Sequence, residues 1–195
     1  MKSICVFAGS SYGARPSYRE TARQLGEYMG THGYRLVYGG SKTGLMGEVA
    51  NAALAHGGEV VGIMPSGLAK GEIVHTALTE YIEVDSMHER KAMMHSLADG
   101  YIALPGGFGT FEELFEALCW SQIGIHQHPI GLLNVDGYYD LLIKMVEHSM
   151  KEGFAPPTNM SLMSISATPH ELIHSMSDYL PPNGQLKWQP KNNQR

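Results

Sequence analysis

Apolar residues along this chain fall into two alternating patterns. Short runs rich in β-branched and aromatic residues recur at Ile4–Phe7, Tyr34–Tyr38, Val60–Met64, Tyr81–Val84, Tyr101–Leu104 and Ile130–Asn134, with a weaker one at Leu162–Ile165. Each has the length and continuity of a strand covered on both faces. Between most of them the apolar positions recur with helical period. The first helix is expected to open at Pro16 and end before Gly33; the second runs from Leu45 to His56 and stops at Gly57. Later helices are expected to open on capping boxes, Ser86-x-x-Glu89, Thr110-x-x-Glu113 and Thr168-Pro169-x-Glu171, each with a hydroxyl at the N-cap and a Glu three residues on. Strands alternating with helices predict right-handed βαβ units, hence an α/β fold: a doubly wound parallel sheet with helices on both faces.

Composition narrows the partners. The chain has 14 Lys plus Arg against 19 Asp plus Glu, a net charge of −5, so no broad basic surface is expected to bind nucleic acid or an anionic membrane. No segment approaches the ~20 apolar residues of a membrane-spanning helix. Cys5 and Cys119 make no disulfide framework and fit a reducing compartment, so a cytoplasmic protein is expected. The 195 residues suit one domain, expected over 1–180; at Pro181-Pro182-Asn183-Gly184 the composition shifts into a polar tail, 181–195, expected to be mobile.

Ligands of such sheets sit beyond the carboxyl ends of the strands. There the sequence places Gly9-Ser10-Ser11, Gly39-Gly40-Ser41, Pro65-Ser66-Gly67, Asp85-Ser86 and Pro105-Gly106-Gly107, a rim of small and polar residues that favours a phosphate-bearing ligand. Tyr38–Gly47 is not a Walker A loop, because Ser41 precedes Lys42 and Leu36 stands where its first glycine belongs. Gly9-Ser10-Ser11-Tyr12-Gly13 likewise fails the dinucleotide fingerprint. A glycine turn at a helix N-terminus remains, able to offer backbone amides to an anion without side-chain charge.

The segment Leu104–Glu113 combines strand end, glycine turn and helix start, with Phe111, Leu114, Phe115 and Leu118 expected to face the sheet. Glu113 has two readings here, a capping-box carboxylate or a catalytic group. Glu112 and Glu113 beside a phosphate would repel it unless a cation compensates. Arg90 is the candidate, since it falls inside the apolar arc of Met93, Met94, Leu97 and Ala98. Its stem either packs there while the guanidinium reaches solvent, or the guanidinium pairs with a bound anion. Lys91 flanks the same face. His126-x-His128 and the pair His88/His95 lack metal-ligand spacing, and no metal or cofactor is expected. Cys119 has no nearby base, and Ser10 lacks the G-x-S-x-G elbow of a serine hydrolase.

Taken together, Pro105–Glu113 matches the P-G-G-x-G-T-x-x-E signature of the LOG (lonely guy) family, Met87–Ala92 resembles its M-H-x-R-K-A segment, and Tyr38–Gly47 resembles its Y-G-G-G-x-x-G-L-M-G loop. The likeness runs from Ser3 to Leu180. It implies a Rossmann-like homodimer that hydrolyses the N-glycosidic bond of a purine nucleoside 5′-monophosphate, a cytokinin riboside 5′-monophosphate or AMP, releasing the base and ribose 5-phosphate. Carried over by position, Arg90 and Glu113 are the catalytic pair. The substrate-binding positions are Gly9, Ser10, Gly39, Gly40, Glu72, Met87, Lys91, Gly106, Gly107, Phe108, Gly109, Thr110 and Cys119. Two positions depart from the pattern: Ser41 replaces the third glycine, and Cys119 stands where plant members commonly carry threonine. Relatives have been labelled lysine decarboxylases, but no lysine here has the context of a pyridoxal-phosphate Schiff base. The rival from another class is a carrier that binds a nucleotide or phosphorylated cofactor without cleaving it.

Overall fold

The computed structural model describes residues 1–68 and 73–182. Seven strands form one sheet: β1 (Ser3–Phe7), β2 (Arg35–Tyr38), β3 (Val60–Pro65), β4 (Glu80–Val84), β5 (Gly100–Ala103), β6 (Ile130–Leu133) and β7 (Met163–Ser166). Every pair is parallel and the order is β4-β3-β2-β1-β5-β6-β7. The helices are α1 (Pro16–Thr31), α2 (Gly44–Ala55), α3 (Met87–Ser96), α4 (Phe108–Ile123), α5 (Asp140–Lys151) and α6 (Pro169–Ser177). The doubly wound α/β fold expected from the pattern is therefore present, with strand bounds moved by only a residue or so. Part of the tail expected at 181–195, from residue 183 on, lies outside the described residues.

Alternation along the strands divides the core in two. Ile4, Val6, Leu36, Tyr38, Ile102 and Leu104 pack with Leu25 and Met29 of α1, Val49 and Ala53 of α2 and Leu172 and Met176 of α6. Cys5, Phe7, Val37, Val61, Ile63, Tyr101 and Leu132 face the other way, onto Met94 of α3, Leu114 and Ala117 of α4 and Ile143 of α5. Chain order runs outward from β1 through β2 and β3 to β4, and α3 then carries it back to β5 on the other side of β1. The β1/β5 boundary is thus the switch point, and the loops leaving these two strands diverge to opposite faces and open a crevice between them. Gly9 N–H donates to Pro105 O across its floor at 3.1 Å.

The three capping boxes fare differently. At α3, Ser86 Oγ accepts from the Glu89 amide at 3.2 Å, while Glu89 Oε2 accepts from Asp85 N rather than from the cap's own amide. At α6 the box closes side chain to side chain, Thr168 Oγ1 donating to Glu171 Oε2 at 2.9 Å. At α4 the expectation fails: the helix begins at Phe108 with Gly107 as N-cap, and Thr110 lies inside the first turn. Thr110 is 3% exposed and packs beneath Gly106, so its hydroxyl does not cap the helix. The buried face of α4 consequently comprises Thr110, Glu113, Leu114 and Ala117. Phe115, expected against the sheet, is 44% exposed.

Candidate active site

Arg90 reaches inward from α3 under the rim. Its Nε donates to Ile63 O at 3.2 Å, the side chain is 12% exposed, and Nη1 lies 3.6 Å from Glu113 Oε1. The reading in which the guanidinium escapes to solvent is excluded by this geometry. Gly39 makes the space: a Cβ there would overlap the Arg90 guanidinium. Met87, one turn before Arg90, touches it through sulfur, at 3.9 Å from Nη1.

Glu113 is free for chemistry because it caps nothing. Burial pushes its carboxyl up from an ordinary 4.5 to about 7, against the opposing pull of the Arg90 charge. Glu112 and Glu116 add repulsion from the same helix, and Lys91 counters it. Lys91 Nζ bonds Glu112 and, at 3.1 Å, Glu116. Burial alone would lower its pKa, but the two carboxylates outweigh burial and raise it.

The turn from β5 into α4 has the form of an anion-binding element. Among the hydrogen bonds of the described residues, the amides of Gly106, Gly107, Phe108, Gly109 and Thr110 have no protein acceptor. Such amides at a helix start attract a phosphate. The N-terminus of α2 looks similar in sequence but is already used, because Leu45 and Met46 both donate to Gly9 O, at 3.0 and 3.3 Å. Two adjoining cavities open on the crevice. One, of ≈ 220 Å³, is lined by Ala8, Gly9, Ser10, Met46, Arg90, the stretch from Gly107 to Thr110, and Glu113. Its neighbour, of ≈ 300 Å³, is walled by Tyr12, Tyr18 and Tyr138 and shares Gly9, Ser10 and Gly107.

Of the residues singled out in the sequence, Gly9, Ser10, Arg90, Gly107, Phe108, Gly109, Thr110 and Glu113 line one cavity, and Gly106 lines the adjoining one. Gly39 touches Arg90, and Gly40, at φ +74°, turns the chain beside β3. Three lie elsewhere or beyond view. Lys91 points from α3 into the Glu112/Glu116 carboxylate pair of α4. Cys119 lines a groove between α4 and α5 with Phe115, Leu118 and Met150. Glu72 lies outside the described residues. His126 is spent internally: Nε2 donates to Ala117 O, Nδ1 accepts from the His128 amide, and burial pulls its pKa down to about 4. Among the described residues no group of three His, Cys, Asp or Glu is arranged to hold a metal ion. Sequence reasoning missed Met46, Tyr12, Tyr18 and Tyr138. Met46 and Tyr12 stand in the glycine-rich segments Tyr38–Gly47 and Gly9–Gly13, which could have pointed to them, whereas no local signal marks Tyr18 or Tyr138.

A family model described as "Possible lysine decarboxylase" matches residues 46–176. No lysine among the described residues lines either cavity, so these residues offer no amine of the kind that description would require. The chain is 46% identical over 180 residues to the probable cytokinin riboside 5′-monophosphate phosphoribohydrolase LOGL9 of Oryza sativa subsp. japonica, covering 92% of this chain and 79% of that protein. It is 44% identical to the cytokinin riboside 5′-monophosphate phosphoribohydrolase LOG2 of Arabidopsis thaliana, covering 92% and 84%. Among solved structures, the molybdenum cofactor binding protein of Rippkaea orientalis superposes with a TM-score of 0.68 at 24% identity over 91% of this chain and 97% of that one. That likeness is one of fold.

Proposed function

This chain belongs to the LOG family, and from that premise we propose that it hydrolyses the N-glycosidic bond of purine nucleoside 5′-monophosphates, releasing free base and ribose 5-phosphate. Cytokinin riboside 5′-monophosphate is the substrate class its relatives are named for; AMP, which carries the same phosphoribosyl group, is included in the proposal. The observation that carries the reading is a buried carboxylate, Glu113, held 3.6 Å from Arg90 in a cavity it shares with Gly107, Phe108, Gly109 and Thr110, whose amides have no protein acceptor.

The chemistry follows from that juxtaposition. The amides from Gly107 to Thr110 hold the 5′-phosphate and so fix the ribose. Cleavage of C1′–N9 sends the bond's electrons to the purine and leaves positive charge on the sugar, which the ionised Glu113 stabilises. Glu113 also takes a proton from the attacking water as its oxygen bonds C1′; over the turnover one water proton ends on the departing base. Arg90 anchors the nucleotide and offsets the negative charge gathered at the site.

The proposed molecule is a cytoplasmic homodimer. α5 has no fully buried residue, and Leu141 (79%), Met145 (65%) and Phe154 (86%) stand exposed, as does Phe115 of α4 (44%). An apolar surface of this kind calls for a partner, and a second copy of this chain supplies one.

The test is to incubate the pure protein with AMP and with N6-isopentenyl-AMP and to measure free base and ribose 5-phosphate. Both products should form in equal amounts, and Glu113→Gln should slow the reaction about 10²–10⁴-fold while leaving the fold intact. No base from either nucleotide would refute the proposal.

A further inference from the structure

Three consecutive carbonyls in the turn after β5 are each tied to a donor from another part of the chain. Leu104 O accepts from the Tyr139 hydroxyl at 2.6 Å. Pro105 O accepts from Gly9 N–H at 3.1 Å. Gly106 O accepts from the Tyr138 hydroxyl. A peptide unit is planar and trans, with its C=O and N–H directed oppositely. The bond from Gly9 therefore aims the Gly106 amide away from Gly9, and the bond from Tyr138 fixes the direction of the Gly107 amide. Both glycines lack a Cβ that would resist rotation of these peptide planes. A flipped Gly106–Gly107 peptide would present a carbonyl oxygen to the ligand where an amide now stands.

The tyrosines are themselves held rigidly. Asp136 and Gly137 have φ of +50° and +72°, an uncommon pair of left-handed residues that turns the chain sharply out of β6. Ser17 Oγ donates to Asp136 Oδ2 at 2.6 Å. Asn134 Oδ1 accepts from Tyr139 N at 2.7 Å, and its Nδ2 donates to Asp140 Oδ1 at 2.8 Å. The Tyr138 ring packs edge-on against Tyr18, centroids 5.6 Å apart, and stacks on Phe111 at 6.5 Å. Tyr139 is fully buried.

We propose that Tyr138, backed by Tyr139, is a positioning residue for the phosphate of the substrate: its hydroxyl locks the Gly106–Gly107 peptide so that the Gly107 amide faces the bound anion. The inference rests on the phosphate-holding role given to this turn above. It concerns recognition of the phosphate rather than of the base.

Tyr138→Phe keeps the ring and its packing and removes only the donor. Calorimetric titration with ribose 5-phosphate and with adenine, beside steady-state kinetics on AMP, separates the outcomes. Affinity for ribose 5-phosphate should fall and KM for AMP should rise together, about fivefold to tenfold, the size expected for one lost hydrogen bond. Adenine affinity should stay unchanged. Tyr139→Phe should act in the same direction. Unchanged ribose 5-phosphate binding in Tyr138→Phe would overturn the proposal, as would an equal loss of adenine and ribose 5-phosphate affinity, the mark of a merely structural role. Failure of the parent protein to bind ribose 5-phosphate would overturn it too. Titration reads binding without turnover: a protein that binds ribose 5-phosphate through Tyr138 yet releases no base refutes the hydrolase reading and leaves this one standing.

Discussion

Glu113 is the residue on which burial and the proposed catalysis meet. Its carboxyl, raised from 4.5 to about 7, binds its proton more tightly in the folded chain than in the unfolded one. The stability this group contributes is therefore fully present below about pH 4.5 and is lost as pH rises through about 7, a difference on the order of 3 kcal/mol. Glu113→Gln cannot ionise, so thermal melts should show it more stable than the parent at pH 8 and indistinguishable near pH 4.5. Catalysis by the carboxylate runs the opposite way: kcat/KM should climb through a midpoint near 7. A flat profile between pH 6 and 8 would contradict the assigned ionised form. Both members of the pair were legible as candidates, Arg90 because it interrupts an apolar arc and Glu113 because it follows a glycine turn. The choice between their alternative roles was not. It depends on Gly39 vacating the space for the guanidinium and on Thr110 sinking beneath Gly106.

At the scale of the element, α2 and α4 make the same point. Each follows a glycine-rich turn, and each looks in sequence like an anion site. α4 keeps the amides of Phe108, Gly109 and Thr110 without a protein acceptor, whereas those of Leu45 and Met46 in α2 are satisfied by Gly9 O from a loop more than 30 residues earlier. Periodicity likewise placed a sheet-facing stripe on α4 but misassigned Phe115 to it, since a polar pair, Thr110 and Glu113, occupies part of the buried face. The exposed apolar side of α5 leads to a prediction of assembly. In sedimentation, the parent should run as a dimer at micromolar concentration and the double variant Leu141→Glu, Met145→Glu as a folded monomer, because charges at a desolvated interface are costly while the same charges in water are nearly neutral. A monomeric parent would refute the homodimer.

Across the whole molecule, the β1/β5 switch point explains why the candidate site lies where it does: residues from the loops that follow β1 and β5 and from α2, α3 and α4 converge there. A ligand bridging these elements links the two halves of the sheet, so ribose 5-phosphate at 100 times its dissociation constant should stabilise the protein by about 2.7 kcal/mol. That should appear as a rise in Tm of roughly 5–10 °C; no shift at saturation would exclude binding at the switch point. By itself, the sequence determined the strands, the helices and their parallel winding, because continuous apolar runs, helical period and glycine stops are local properties of the chain. It also marked the α4 turn and its two charged candidates. Only the tertiary structure decided which helix start stays open to a ligand, which way each peptide of the turn points, and that Tyr138 and Tyr139 hold it. These follow from hydrogen bonds between groups more than 30 residues apart, whose meeting depends on how strands and helices pack and on no pattern within either segment.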